Sequence, residues 1–377
     1  METIIRNLVQ FLEQKGLVDR HAVVNGGLAA SMSRSRNRFL LVKQRSGGCY
    51  FVKQAMESES MTRETVAREA EIYRGAFADD RLQPLRALLP TFRLYDADQG
   101  ILITDLVPEA QNLAHMHARL GRCPSDIARR VGEAIAGYHR IRFVPGAPQA
   151  ALFPQKPPWI LMLHSEPDLQ GLRRSAAASQ LLDIVVGAPG LEQRLAQLRE
   201  SWTCDTLIHT DMRFENVLLA PRQAPLPQQR LYVIDWELAD IGDAAWDVAG
   251  LFQAYLVFWI GSMPLEAGAK SDDLMAAAKC QLADLQPAIG ALWQGYFGAS
   301  DRYREAPNAF LGRCARLMGA RMLVTAFEMC VHAPAMPGHA VVLVQTGLNV
   351  LERPDDAIRD LLGIAIPAPQ RALEAVQ

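Results

Sequence analysis

His209-Thr210-Asp211-Met212-Arg213-Phe214-Glu215-Asn216 stands between two short apolar runs, Thr206 to Ile208 and Val217 to Ala220. After a Pro/Gln-rich link comes Leu231-Tyr232-Val233-Ile234-Asp235-Trp236-Glu237. The apolar runs read as strands, so the octapeptide is a tight loop and Asp235 ends the next strand. On such a loop Asp211 can accept a hydroxyl proton, Asn216 can offer an amide oxygen to a cation, and Asp235 can offer a hard carboxylate. Phosphoryl transfer asks for this set, one carboxylate to orient the attacking hydroxyl and two oxygen ligands for the metal that bridges the phosphates. A surface hairpin containing His and Asp would carry the same letters, so the reading needs support from elsewhere in the chain.

That support follows directly in Gly242-Asp243-Ala244-Ala245-Trp246-Asp247-Val248-Ala249. The three elements, in this order, resemble the aminoglycoside phosphotransferase and choline kinase superfamily, whose signature is His-x-Asp-x-x-x-x-Asn, then Ile-Asp-Trp/Phe, then Gly-Asp-Pro-x-x-Asp. The resemblance implies an α+β, bilobal protein-kinase-like fold: a small antiparallel sheet with one main helix over residues 1–107, and a larger, mostly helical lobe over 108–377. It implies ATP, or another NTP, and Mg2+ as cofactors, with Asp211 as catalytic base, Asn216 and Asp235 as metal ligands, and Asp247 tying down the loop. Thr210 stands where the family usually has Gly, and Ala244 where it usually has Pro; neither replaces a ligand. Arg213 occupies a position where many small-molecule members carry His and protein kinases Lys, and a cation there can neutralise the transferring phosphoryl group.

Working toward the N-terminus, residues 2 to 16 have helical spacing of Ile5, Leu8, Phe11 and Leu12, ending at Gly16. Three short runs then predict an antiparallel sheet: Ala22 to Val24, Phe39 to Gln44 and Cys49 to Gln54, the last two joined by Ser46-Gly47-Gly48. Lys53 lies on the third, where kinase-like folds place the phosphate-binding lysine. Its expected partner is Glu69 in the helix predicted over Thr62 to Phe77, with Glu64 and Glu71 as competitors. Val24 to Ser31, with Gly26 and Gly27, is expected to loop over the phosphates, because glycines let backbone N–H groups approach oxygens. Arg34, Arg36 and Arg38 stand beside it. A strand pair over Thr91 to Tyr95 and Ile101 to Leu106 leads into the segment Ile103 to Val107, where the main chain of Asp105 and Val107 matches an adenine-binding hinge.

Beyond Pro108 the pattern is helical apart from the strands of the loop region. With half of its 377 residues apolar, the chain can bury a large core, and its size suits two domains. Its 39 basic and 41 acidic residues nearly cancel, so no global field draws it to nucleic acid or to a membrane. Six scattered cysteines without a Cys-x-x-Cys pair fit a reduced, cytoplasmic protein. The N-terminus lacks the apolar centre of a signal peptide, and Val248 to Met263 is expected to be a buried helix rather than a bilayer span. His115 and His117 make a poor metal site, having no third ligand nearby, and His139 is expected to be structural.

The leading expectation is an ATP- and magnesium-dependent kinase of a hydroxyl on a small molecule or peptide. Between Gly250 and Val350, seven acidic residues face seven basic ones, a balance that disfavours polycationic aminoglycosides. A second reading, carried by Arg213 and by the run Trp246 to Pro264, is a Ser/Thr kinase of a ribosomal precursor peptide, of the kind met in lanthipeptide or thioamide biosynthesis. A third is a pseudokinase that binds nucleotide or a partner without transfer; Lys53, Asp211, Asn216 and Asp235 argue against it. Nothing in the sequence sets an oligomeric state.

Overall fold

The computed structural model describes residues 2–21, 25, 27–34, 37–56, 60–142, 151–165, 169–264, 271–300 and 306–365. Strands β1 (Leu28–Arg34), β2 (Arg38–Gln44), β3 (Tyr50–Gln54), β4 (Phe92–Asp96) and β5 (Ile101–Asp105) form an antiparallel sheet of order β1-β2-β3-β5-β4. Because strand side chains alternate between faces, the sheet packs on both sides. Leu40, Val42, Val52, Ile101 and Ile103 meet Leu8, Phe11 and Leu12 of helix α1 (Glu2–Gln14). On the other face Leu102 joins Val66, Ala70 and Tyr73 of helix α2 (Ser60–Ala78), whose core continues into the helical half.

The first strand differs from expectation. It runs from Leu28 to Arg34, and Ala22 to Val24 lie outside the described residues. The Leu-Ala-Ala-Ser-Met-Ser-Arg segment has no β-branched residue, so β-propensity does not mark it; pairing along the whole of β2 makes it a strand.

After β5 come the short β6 (Gln111–Asn112), helix α3 (Leu113–Leu120) capped by the Asn112 side chain, and helix α4 (Ser125–Tyr138). Helices α5 (Ala176–Val186) and α6 (Leu191–Glu200) lead to β7 (Thr206–Ile208), β8 (Val217–Ala220), β9 (Arg230–Val233) and β10 (Asp240–Gly242). These make two small sheets, β10-β7 and β6-β8-β9, with the loop 209–216 held between them. Helices α7 (Ala244–Gly261), α8 (Leu282–Ala299), α9 (Pro307–Cys330) and α10 (Gly338–Glu352) build the remainder. Helix α7 is long and apolar enough to cross a membrane by composition, but 78% of it is buried inside the protein, as expected for a core helix.

Helices α4 and α8 approach so closely that a Cβ on Gly132 would stand 2.2 Å from the Leu292 carbonyl oxygen, and one on Gly295 2.2 Å from that of Arg129. Alanine is the better helix former by about 1 kcal/mol, yet here its methyl meets rigid backbone. Gly132→Ala is therefore expected to lower the unfolding free energy by about 1–3 kcal/mol, read as a lower midpoint in urea titration.

Candidate active site

Lys53 sits on the central strand β3, where alternation that sends Val52 to the α1 face sends Lys53 into the cleft between sheet and helical half. Only 1% exposed, its Nζ lies 2.6 Å from Glu69 Oε2, 2.7 Å from Asp235 Oδ1 and 2.6 Å from Glu237 Oε2. Burial alone would lower the lysine pKa, but the three carboxylates outweigh it and hold the ammonium well above its ordinary value. Burial pushes the Glu69 carboxyl up to about 7, against the pull of Lys53. Of the three glutamates weighed from sequence, Glu69 is the partner; Glu71 turns instead to Arg74.

Glu69 also reaches across the cleft, its Oε1 accepting the Trp236 backbone N–H at 3.2 Å. Asp235, two residues after β9, adopts a left-handed conformation, φ 67°, and its carboxylate meets Lys53. Glu237, to which the motif gave no role, accepts a second hydrogen bond from Asn37 Nδ2 at 2.6 Å. Asn37 lies between β1 and β2, two residues before Phe39, which pairs with Lys53. Val24 to Ser31, expected as a loop, is described only in part. Leu28 to Ser31 are strand, Gly27 borders β1 at the end away from Lys53, and Gly26 lies outside the described residues. Arg38 flanks the turn within β2, while Arg36 and the Arg34 side chain are outside the described set.

The loop 209–216 is held by its main chain. Asp247, on the first turns of α7 and fully buried, accepts the N–H of His209 at 2.7 Å and of Thr210 at 3.0 Å, together with the Tyr138 hydroxyl at 2.7 Å. His139 Nε2 stands 3.2 Å from the same carboxylate. Burial would raise the Asp247 pKa, but His139 and the loop N–H groups hold it below the usual carboxylate range. The helix cap itself is Asp243, which accepts the Ala245 N–H at 3.0 Å, and Ala244 fills the first helical position, where proline is favoured in general.

Asn216 donates from Nδ2 to the Asp211 carbonyl at 2.8 Å, so its amide oxygen is the atom that could hold a cation. Asp211 does not stand free: Arg213 Nε donates to its Oδ1 at 2.8 Å and the guanidinium Nη2 also contacts that oxygen. Arg213 further lies 3.5 Å from Glu328 on α9.

Two cavities flank this loop. One, of about 730 Å³, runs between sheet and helical half; Lys53, Glu69, Asn216 and Asp235 line one end, and Leu102, Leu218 and Ile234 face the segment Asp105 to Val107. The Asp105 side chain is engaged by Arg93 at 2.6 Å. The second, of about 400 Å³, opens beyond Arg213, with Glu215, Gln253, Phe258, Arg321 and Thr325 in its walls. His117 belongs to neither: it is buried against Phe214, Tyr255 and Phe258, and burial pushes its pKa down to about 4.

Residues 30–280, about two thirds of the chain, match the model of the phosphotransferase enzyme family (APH). The chain belongs to that family. Solved structures share its fold: the ethanolamine kinase of Plasmodium vivax (TM-score 0.56, 12% identity, covering 89% of this chain and 85% of that one). A choline/ethanolamine kinase family protein from Mesorhizobium loti is similar too (TM-score 0.52, 18% identity, 90% and 92% covered). So is the choline kinase of Cryptosporidium parvum (TM-score 0.53, 12% identity, 90% and 93% covered). No curated protein sequence matches the chain significantly.

Within this family member, Lys53, Glu69, Asn216 and Asp235 meet at one cavity, and Asp211 and Arg213 meet at the loop beside it. Sequence reasoning missed Glu237, Asn37 and Arg321. Glu237 had a visible signal, a second carboxylate two residues after Asp235 on a turn.

The family's glycine at position 210 has a physical basis here. Thr210 adopts φ 71°, and its hydroxyl is buried without a hydrogen-bond partner among the described residues. A β-branched residue in this region is strained by about 1–3 kcal/mol. Thr210→Gly is expected to raise the unfolding free energy by about 1 kcal/mol, since glycine's greater chain entropy offsets part of the relief. Calorimetric Tm of the two proteins checks this, and a lower Tm for the glycine variant would contradict it.

Proposed function

We propose that the protein is an ATP- and Mg2+-dependent phosphotransferase that moves the γ-phosphoryl group to a hydroxyl of a small molecule or peptide. What carries this reading is the meeting, at one cavity, of a lysine paired to a helical glutamate, a strand-end aspartate and an asparagine whose amide N–H is already used. The donor set fits the cofactor, being oxygen throughout: the Asn216 amide oxygen and the Asp235 carboxylate, with Glu237 adjacent. Mg2+ and nucleotide, when bound, supply the phosphoryl group and neutralise its charge. Residues 1–107 hold the nucleotide, with the adenine against the main chain of Asp105 to Val107, and 108–377 hold the acceptor.

In this reading Asp211 takes the proton of the acceptor hydroxyl. Asn216 fixes the loop through the Asp211 carbonyl and turns its own oxygen to the metal. Arg213, lying against Asp211, puts a cation where negative charge develops on the transferring group. The 400 Å³ cavity beyond Arg213 receives the acceptor; two arginines and one glutamate in its walls suit a neutral or anionic compound rather than a polycation.

Nucleotide-dependent stabilisation followed by a screen for acceptor-driven ADP release tests the assignment. With the acceptor so found, Asp211→Asn is expected to cut turnover by roughly 10²–10⁴ with ATP binding retained, and Asp235→Ala to abolish it; near-normal turnover of either variant in magnesium refutes its role. Incubation with Mg-ATP and an aminoglycoside panel is expected to leave the drugs unphosphorylated by mass spectrometry. Efficient phosphorylation of kanamycin-like compounds would overturn the charge argument.

A further inference from the structure

Arg321 lies on α9 in an apolar row, Leu317-Met318-Gly319-Ala320-Arg321-Met322-Leu323, and is itself 7% exposed. A buried guanidinium must find acceptors, and this one finds them on the loop that carries Asp211. Its Nη1 donates to the Thr210 carbonyl at 2.8 Å and its Nη2 to the Met212 carbonyl at 3.3 Å. These are the carbonyls of the two residues that flank Asp211. Its Nε donates to Gln253 Oε1 at 3.2 Å, and the Gln253 amide returns a bond to the Arg321 carbonyl at 3.1 Å, which fixes the plane of the fork. The face of the guanidinium covers the Trp246 ring at 4.8 Å, and Trp246 Nε1 donates to the same Thr210 carbonyl at 2.8 Å. Gly250 completes the arrangement, since a Cβ there would stand 2.5 Å from the Met212 carbonyl oxygen and 3.0 Å from Arg321 Cζ.

We propose that Arg321 is the positioning residue of this loop: by binding the carbonyls on either side of Asp211 it sets the direction in which that carboxylate points. The proposal rests on the reading of Asp211 as the base. Thr210 in its left-handed conformation persists only if its surroundings over-determine it. Asp247 satisfies the donors of the strained peptide, and Arg321 with Trp246 satisfies its acceptor. Without the fork the Thr210 and Met212 peptides lose the cation that opposes their relaxation, and Asp211 swings with them.

Arg321→Met and Arg321→Lys in the full chain test this by hydrogen exchange and by kinetics. In Arg321→Met, amides of 209–213 are expected to exchange about tenfold faster or more, the loss expected for hydrogen bonds to a charged group, with amides of α9 and α10 little changed. Arg321→Lys, which keeps the charge but can serve one carbonyl well, falls between. Turnover with the acceptor from the screen, or with water, falls about 10²-fold while the KM for ATP stays within about threefold of the parent, a split that general loss of packing would not produce. Unchanged loop protection, protection lost equally through α9, or a KM rising in step with the fall in kcat would each overturn the proposal. Should Arg321→Met fail to fold, Gly250→Ala keeps every charge and drives a methyl into the fork. Loop exchange unaltered in that variant would count equally against it. The exchange measurement reads the clasp even if the protein transfers no phosphate, so its failure is distinct from failure of the proposed function.

Discussion

The ammonium of Lys53 is the point at which the two halves of the molecule are joined. It stands on the central strand of the sheet, and its partners come from helix α2 and from the turn after β9. Removing one partner of a buried ion pair leaves an uncompensated charge, at a cost of about 3–5 kcal/mol, so sheet, helix and turn keep their relation for electrostatic reasons. The balance is uneven, with three carboxylates around a single cation. Burial is what chiefly pushes the Glu69 carboxyl up to about 7, and the Asp235 and Glu237 charges push in the same direction. On the proposed reading Asp235, Glu237 and Asn216 would hold a divalent cation that offsets this surplus of carboxylates.

Backbone strain is the second constraint. Thr210 and Asp235, at φ 71° and 67°, are both non-glycine residues in the left-handed region, and they stand on either side of the loop's anchor, the His209 Nε2 and Ile234 carbonyl pair at 2.8 Å. Each conformation costs on the order of 1–3 kcal/mol, and each is held by side chains distant in sequence: Asp247 and Arg321 for Thr210, Glu69 for the turn beginning at Asp235. The strain is local, whereas what opposes it is the packing of α2, α7 and α9.

How much of this was legible in the sequence depended on how chemistry constrains residue type. Phosphoryl transfer asks for carboxylates and an amide at short spacings, so Asp211, Asn216 and Asp235 stood out as candidates without structure, and strands β7, β8 and β9 around them were legible. Lys53 was legible from its strand, and its partner as Glu69 with Glu64 and Glu71 left as competitors, because helix phase relative to a sheet is a tertiary fact. Leu28 to Ser31 read as loop rather than strand because Gly26 and Gly27 carry a turn signal and β1 carries no β-branched residue. Tertiary pairing overrode both cues. Arg321 had no motif, yet one argument was open: an arginine in an apolar helical row is almost never buried unpaired, so it had to have acceptors somewhere.

Those acceptors complete a symmetry in how the loop is held. An anion, Asp247, takes the N–H groups of His209 and Thr210, and a cation, Arg321, takes the carbonyls of Thr210 and Met212. Both lie in low dielectric, where each bond to a charged group is worth about 1.5–3 kcal/mol, and the two charges sit on adjacent helices, α7 and α9, that pack against each other. A shift between those helices would therefore weaken both ends of the clasp together. The orientation of Asp211 is thus a property of the helical core, which is why a loop of eight residues between two short strands can hold one carboxylate fixed while carrying a strained conformation at Thr210.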